Sequence, residues 1–210
     1  MDCSGSREQT RRSPALGITL RSSALALALC ALAVTAPESA AAQEGQTGVH
    51  APGGLMDASP QERPMMLSFF TGINYGHYAF YGFPLTLGGR FYIPLVPDGF
   101  IPSLNEEFGL EFGLDFNITF LSSNYTYNDS TLFGFGVPVD VLWDFHITPT
   151  FDAYAKLGLV IAHGFSDRAY GGFWWTIREA VGLRLKITEG LYFRAEAGYP
   201  SIMAGLGLTF

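Results

Sequence analysis

Residues Phe108 to Phe120 read Phe-Gly-Leu-Glu-Phe-Gly-Leu-Asp-Phe-Asn-Ile-Thr-Phe. Phe, Leu and Ile occupy every second position, and Gly, Glu, Asp, Asn and Thr occupy the positions between them. Successive side chains of a β-strand point to opposite faces, so a period of two is typical of a strand with one apolar and one polar face. This stretch therefore predicts a long two-faced strand.

The same alternation recurs through the rest of residues 65–210. It is clear in the runs 133–145, 151–161, 177–186, 191–199 and 202–210, and less regular near 66–76 and 84–94. Turn-forming residues separate the runs, among them Thr148-Pro149, Glu189-Gly190 and Tyr199-Pro200. Eight such strands with short connections predict an all-β fold, an eight-stranded antiparallel up-and-down β-barrel.

The volume of the apolar side chains decides which face of the predicted barrel points outward. The chain has 18 Phe, 10 Tyr and 3 Trp, and none of them precedes Phe69. An eight-stranded barrel has an interior only just wide enough for side chains to fill, and these rings would overfill it. The apolar face is therefore predicted to point outward, where only lipid accommodates so much apolar area. The fold prediction thus becomes a transmembrane β-barrel.

The charged residues of the strands fall on the opposite, inward parity. Because a charge that faces the bilayer midplane is costly, and buried charges are tolerated only when they are paired, this segregation predicts an internal salt-bridge network that fills the lumen. Six bases and six acids belong to the predicted luminal charge network: Arg90, Lys156, Arg178, Arg184, Lys186, Arg194, Glu111, Asp115, Asp140, Asp144, Asp152 and Glu196.

The N-terminal part of the chain has a different character. Four Arg residues, an apolar run at residues 24–34 and Ala40-Ala-Ala42 predict a secretory signal peptide over residues 1–42. Residues 43–64 hold Gly, Pro, Gln, Ser and Ala without a single aromatic residue and predict a flexible periplasmic tail before the barrel of residues 65–210. Both cysteines, Cys3 and Cys30, lie in the predicted signal peptide, so no disulfide is expected beyond it.

With these features the chain resembles the small eight-stranded outer-membrane β-barrels of Gram-negative bacteria, such as the outer-membrane protein A barrel. The resemblance covers residues 65–210 and is most specific at the C-terminus, where Tyr199, Leu206, Leu208 and Phe210 match the assembly signal of that class. It implies residence in the bacterial outer membrane, contact with outer-membrane lipid, and insertion by the barrel-assembly machinery with periplasmic chaperones. It favours a monomeric, non-enzymatic protein with a structural or small-solute role.

Two other functions stay open. A narrow channel is one, since the lumen is polar. The other is a membrane-embedded hydrolase that resembles the eight-stranded lipid A deacylases, with His163 as base, Ser166 as nucleophile and Glu179 as the acid that orients the base. Glu179 falls on the outward parity, unless a β-bulge near Trp174-Trp175 shifts it.

Composition and spacing argue against several classes of ligand. The net charge of −7 gives no electrostatic basis for nucleic-acid binding. The four His residues, His50, His77, His146 and His163, show no paired spacing, so no metal site is predicted. No cofactor is expected, because the Gly-rich stretches lie within predicted strands and no helix follows them.

Overall fold

The computed structural model describes residues 48–76, 82–121, 131–165 and 172–210. Within these ranges the chain forms eight strands that pair antiparallel in sequence order, and β1 closes the barrel by pairing with β8. The predicted eight-stranded up-and-down barrel is confirmed. The strands are β1 Met66–Asn74, β2 Gly82–Val96, β3 Glu106–Leu121, β4 Thr131–Thr148, β5 Phe151–Phe165, β6 Gly172–Thr188, β7 Leu191–Tyr199 and β8 Ser201–Thr209.

Alternation along each strand separates the two faces as the sequence predicts. On β5, the outward-facing Leu157 and Ile161 are 56% and 57% exposed, whereas Glu111 on β3 and Asp140 on β4, both facing inward, are fully buried. Large apolar side chains of seven of the eight strands share this outward exposure, and those of β7 are half-buried. We call the outward-facing apolar surface the belt.

The irregular alternation of β1 has a physical explanation. Its inward positions hold Met66 and Phe70, both buried. The guanidinium of Arg194, on β7, lies 4.9 Å from the centre of the Phe70 ring. An aromatic face attracts a cation, so the inward-facing Phe70 ring packs on a luminal arginine. As a result β1 carries apolar residues on both faces, and its alternation is less regular.

The two ends of the barrel differ in their connections. At one end, which we call the terminal end, lie the start of β1, the end of β8 and the connections β2–β3, β4–β5 and β6–β7. The other end, the distal end, holds the Tyr199-Pro200 turn between β7 and β8. Among the described residues, no helix is both long enough and apolar enough to cross a membrane.

Residues 48–64, which we call the strap, lie against the terminal end. The Leu55 N–H donates to the Ile147 carbonyl (3.3 Å), and the Leu55 carbonyl accepts from the Asn105 N–H (2.8 Å). Within the strap, Asp57 accepts from the Ser59 hydroxyl at 2.7 Å and from the Gly53 N–H at 2.6 Å. These hydrogen bonds, that of Ser59 foremost, lower the pKa of Asp57 below its ordinary value.

Arg63 joins the strap to the barrel. Its Nε donates to the Pro97 carbonyl at 3.1 Å and lies 3.6 Å from the Glu107 carboxylate, and its guanidinium also donates to the Asn105 side chain. Composition predicts a flexible tail over residues 43–64. The structure instead shows residues 48–64 bonded to the barrel, through the backbone of Leu55 and the side chain of Arg63. Residues 43–47 and the predicted signal peptide lie outside the described residues.

We predict that the Arg63→Ala substitution loosens the strap. Loss of the three contacts removes about 1 kcal/mol of docking free energy, so cleavage of the strap by thermolysin becomes about fivefold faster. The matched control is Glu62→Ala, because the neighbouring Glu62 is exposed. Equal cleavage rates in the two variants would contradict the role given to Arg63.

Candidate functional site: the charged lumen

The inward positions of the strands form a lumen that ionised side chains fill. Eleven of the twelve residues of the predicted luminal charge network are buried there: Arg90, Glu111, Asp115, Asp140, Asp144, Asp152, Lys156, Arg178, Arg184, Arg194 and Glu196. Lys186 is the exception. It lies near the terminal end and pairs with the exposed Glu189 at 2.8 Å.

Eight of these residues form what we call the central cluster, which contains equal numbers of cations and carboxylates. Its members are Arg90, Lys156, Arg178 and Arg194 with Glu111, Asp115, Asp140 and Glu196. Strands β2 to β7 each contribute at least one member. The side chains therefore link nearly the whole circumference of the barrel from inside.

Arg178 and Lys156 are the most connected cations of the central cluster. Arg178 lies 2.6 Å from Glu196, 3.4 Å from Asp140 and 3.7 Å from Asp115. Lys156 lies 3.2 Å from Glu111 and 3.8 Å from Asp140, and it also contacts Glu196. Each cation thus meets three carboxylates, the compensation that buried ions need.

The other two cations each bind a further carboxylate oxygen. Arg90 lies 2.6 Å from Asp115. Arg194 donates to Glu111 at 2.7 Å and to the Ser68 hydroxyl at 2.7 Å. With these contacts every carboxylate of the central cluster faces at least one cation, and the cluster as a whole is neutral.

A layer of neutral polar groups borders the central cluster on its distal side. The Asn117 side-chain oxygen accepts from the Thr86 hydroxyl at 2.7 Å and from the Asn74 amide at 3.3 Å. On the terminal side, the buried side chains of Met66, Tyr92, Leu142 and Tyr154 form a second layer. We call this second group the aromatic layer.

Glycine provides the space for the aromatic layer. A Cβ at Gly182 would lie 2.2 Å from the Tyr154 ring, and a Cβ at Gly109 would lie 2.4 Å from the Tyr92 ring. Both glycines occupy inward positions on the strand next to the tyrosine that they face. The inward glycines of the sequence pattern therefore make room for large luminal rings in a narrow barrel.

A second group of ions, the terminal cluster, lies beyond the aromatic layer and consists of Arg184, Asp144, Glu107, His146, Asp152 and Arg63. Arg184 pairs with Asp144 and lies 3.6 Å from Glu107. His146 Nδ1 lies 2.9 Å from Asp152, and its Nε2 lies 4.0 Å from Glu107. Three carboxylates here face two arginines and one imidazole.

Sequence reasoning missed three members of the terminal cluster. His146 continues the inward parity of Asp144 on β4, so extending that alternation past Phe145 would have identified it. Glu107 has the inward parity of Gly109 and Glu111, so extending the alternation of β3 by one residue before Phe108 would have identified it. Arg63 lies outside every strand, and no local pattern marks it. Only the return of the strap to the barrel end brings its guanidinium to Glu107.

The structure does not bring together the residues of the hydrolase hypothesis. His163 pairs across the sheet with Phe173, which is six residues from Glu179 along β6, a separation of roughly 20 Å. The pairing of β5 with β6 is continuous from Gly172 to Leu185, so no bulge turns Glu179 inward. It stays on the outward parity, opposite Leu157 and Tyr199. Ser166 lies outside the described residues.

His163 lies instead in an aromatic cluster on the outer surface. Its ring centre is 4.5 Å from that of Phe173, 5.1 Å from Phe165 and 5.8 Å from Phe135.

Among the described residues, no group of three or more His, Cys, Asp or Glu side chains has an arrangement suited to a metal ion.

Three of the four residues of the predicted assembly signal, Leu206, Leu208 and Phe210, lie at the closing seam between β1 and β8. Leu206 and Leu208 lie on the belt and pair with β1. Phe210 donates its N–H to the Met65 carbonyl at 3.1 Å, and its ring centre lies 6.0 Å from that of Phe91. Tyr199 ends β7 at the distal end and forms an edge-to-face pair with Tyr75.

Comparison with known proteins gives only distant similarities. No known family profile matches the chain, and no curated protein matches it. It is similar to the Yersinia pestis outer membrane protein Ail in a phospholipid bilayer nanodisc, with 14% identity, a TM-score of 0.44, and coverage of 71% of this chain and 100% of that one. It is also similar to a de novo designed transmembrane β-barrel, with 15% identity, a TM-score of 0.41, and coverage of 71% and 99%.

We predict that Glu111→Gln destabilises the folded barrel by roughly 3–5 kcal/mol, because Lys156 and Arg194 each lose a carboxylate while they remain buried. Urea unfolding in detergent micelles, followed by tryptophan fluorescence, measures the change. The control is Glu189→Gln, which breaks the exposed pair with Lys186 and is expected to leave the unfolding midpoint unchanged. Equal midpoints for the two variants would contradict the structural role of the central cluster.

Proposed function

We propose that the protein is an integral β-barrel of the bacterial outer membrane whose lumen is closed by its own ion pairs, and that its role is structural and non-enzymatic. The observation that carries this proposal is the distribution of side chains over the two faces of the barrel. Large apolar groups of seven of the eight strands are exposed, while the central cluster is buried. Water would disfavour the belt, and lipid accommodates it.

The backbone supports a membrane location as strongly as the side chains do. The hydrocarbon core of a bilayer lacks hydrogen-bond partners, so a sheet that crosses it has to close on itself. The β1–β8 pairing provides that closure. The shortest strands, β1, β7 and β8, have 9 residues each, and a tilted strand of about 9–11 residues spans the hydrocarbon core.

The N-terminal and C-terminal signals support export and assembly. We assign residues 1–42 to a secretory signal peptide, which takes the chain to the periplasm. Periplasmic chaperones and the barrel-assembly machinery would then insert it, reading the alternation of β8 and its C-terminal Phe210. In this orientation both the terminal end and the strap face the periplasm, and the distal end faces outward.

The central cluster favours a closed lumen over a narrow channel. A conducting lumen needs ions to enter and leave it easily. Here each cation is held by carboxylates at 2.6–3.8 Å, apart from the closer Lys156–Glu196 contact. Moving an ion through the cluster would require breaking several buried pairs at once. The hydrolase hypothesis has less support, since His163 and Glu179 lie far apart.

We predict that the purified protein in planar bilayers gives no steady conductance. The variant R178A/E196A, which removes one cation and one carboxylate and keeps the cluster neutral, is expected to show openings under the same conditions. Reproducible openings of the wild-type protein would contradict the closed lumen.

We also predict that the wild-type protein is found in the outer-membrane fraction, with heat-modifiable migration on a denaturing gel. A soluble protein would contradict the membrane location.

We predict that deletion of Phe210 slows assembly in cells more than it weakens the folded barrel. The expected result is a several-fold loss of heat-modifiable protein in the outer membrane, with spontaneous refolding into lipid vesicles nearly unchanged. The control is Phe210→Tyr, which keeps an aromatic ring for packing on Phe91. If deletion impaired vesicle refolding as much as assembly in cells, the effect would be one of packing and not of recognition.

A further inference from the structure

The connection between β2 and β3 is much longer than the turns that join β4 to β5 and β6 to β7. Residues 95–104, which comprise the end of β2 and most of this connection, fold back along the outer surface of the barrel. The Phe100 ring packs on the outward-facing ring of Phe108, with 5.3 Å between ring centres. We call residues 95–104 the ledge.

The ledge covers a carboxylate that would otherwise face outward. Glu106 has the same outward parity as Phe108 on β3, yet it is fully buried. Its carboxylate accepts from the Ile101 N–H at 2.7 Å, from the Phe100 N–H, and from the indole N–H of Trp143 on β4. Three donors replace the water that this carboxylate would lose in an apolar environment.

The turn that presents these donors requires a glycine. Gly99 has a φ of +61°, in the left-handed region, and a Cβ at this position would lie 2.2 Å from the Glu106 carboxyl carbon. A side chain would therefore strain the backbone and also collide with the carboxylate. The absence of a side chain at Gly99 therefore allows the ledge to enclose Glu106.

The outer surface of the ledge is apolar and continues the belt. Phe100 is 59% exposed and Leu95 is 55% exposed. The partly exposed indole of Trp143 shares the Glu106 carboxylate with the ledge, and its ring centre is 5.2 Å from that of Phe145. Aromatic rings with one polar atom are enriched where hydrocarbon meets headgroups, and large apolar groups there insert into the boundary.

We propose that the ledge is a lipid-binding surface, which inserts Phe100 and Leu95 into the headgroup boundary of the periplasmic leaflet, with Glu106 as the buried carboxylate that holds its shape. This inference rests on the proposed membrane location and adds a specific contact to it. Lipid is the occupant that the structure favours over a protein, because the ledge is continuous with the belt through Phe108. In this arrangement the exposed Asp98 and Ser103 of the same segment face water.

Single cysteines test the proposal, because the chain contains only Cys3 and Cys30, and both can be replaced by Ser. An environment-sensitive fluorophore is attached at Phe100→Cys, at Ser103→Cys and, as a reference on the belt, at Leu157→Cys. Each full-length variant is reconstituted in phosphatidylcholine vesicles. Quenching is measured with phosphatidylcholine brominated on the acyl chain near the headgroup, and separately with aqueous iodide.

The expected result is strong lipid quenching and weak iodide quenching at position 100, and the reverse at position 103, with at least a fivefold difference in the ratio of the two. Iodide quenching at position 100 equal to that at 103 would overturn the proposal. Shielding of position 100 from both quenchers would also overturn it, since a protein surface would then cover the ledge. A reference label at position 157 that lipid fails to quench would refute the membrane location itself.

A second variant tests the role of Glu106. In Glu106→Gln the side chain loses its charge and one acceptor oxygen, so the ledge is expected to loosen and iodide quenching of the label at position 100 to rise about threefold. The control, Glu62→Gln in the strap, is expected to change nothing. Heat-modifiable migration of each variant shows that the barrel has folded. Unchanged quenching in folded Glu106→Gln would overturn the role of this carboxylate.

Discussion

Buried charge has to be matched by opposite charge, and this requirement shapes the interior of the barrel. Arg178 and Lys156 each contact three carboxylates, which come from strands on different sides of the lumen. Removal of one partner leaves an uncompensated ion in a space without bulk water, so the cluster behaves as one unit. Gly109 and Gly182 leave room for the rings of Tyr92 and Tyr154, which lie between the central cluster and the terminal cluster.

The strap and the ledge provide partners for two further buried carboxylates at the terminal end. Arg63 brings a cation from the strap to Glu107, where three carboxylates of the terminal cluster meet. The ledge brings two backbone N–H groups to Glu106, whose parity would otherwise place a carboxylate on the apolar surface. Glu106 and Glu107 are adjacent in sequence and point to opposite faces, so each needs its own partner. Arg63 of the strap pairs with the luminal Glu107, and backbone N–H groups of the ledge donate to the outward Glu106.

The strand pattern predicts much of this arrangement, for a physical reason that applies at each position. Phe108 to Phe120 alternates so regularly because its two faces meet different environments, and that difference is visible one residue at a time. The luminal charges follow from the same parity, which is why Glu111, Asp140 and Arg178 could be named from the sequence. Lys186 keeps the inward parity of Arg184 but is not buried, because β6 reaches the barrel end there and the Lys186 ammonium group meets the exposed Glu189.

The sequence by itself determined the number of strands, the parity of each side chain and the outward direction of the apolar face, because alternation and side-chain volume are local properties. Only the tertiary structure decided which charges pair, how far His163 lies from Glu179, and where the strap and the ledge lie. These features depend on the register between strands and on chain segments that return from a distance. A carboxylate such as Glu106 carries no local mark that shows whether lipid, water or a backbone N–H will meet it.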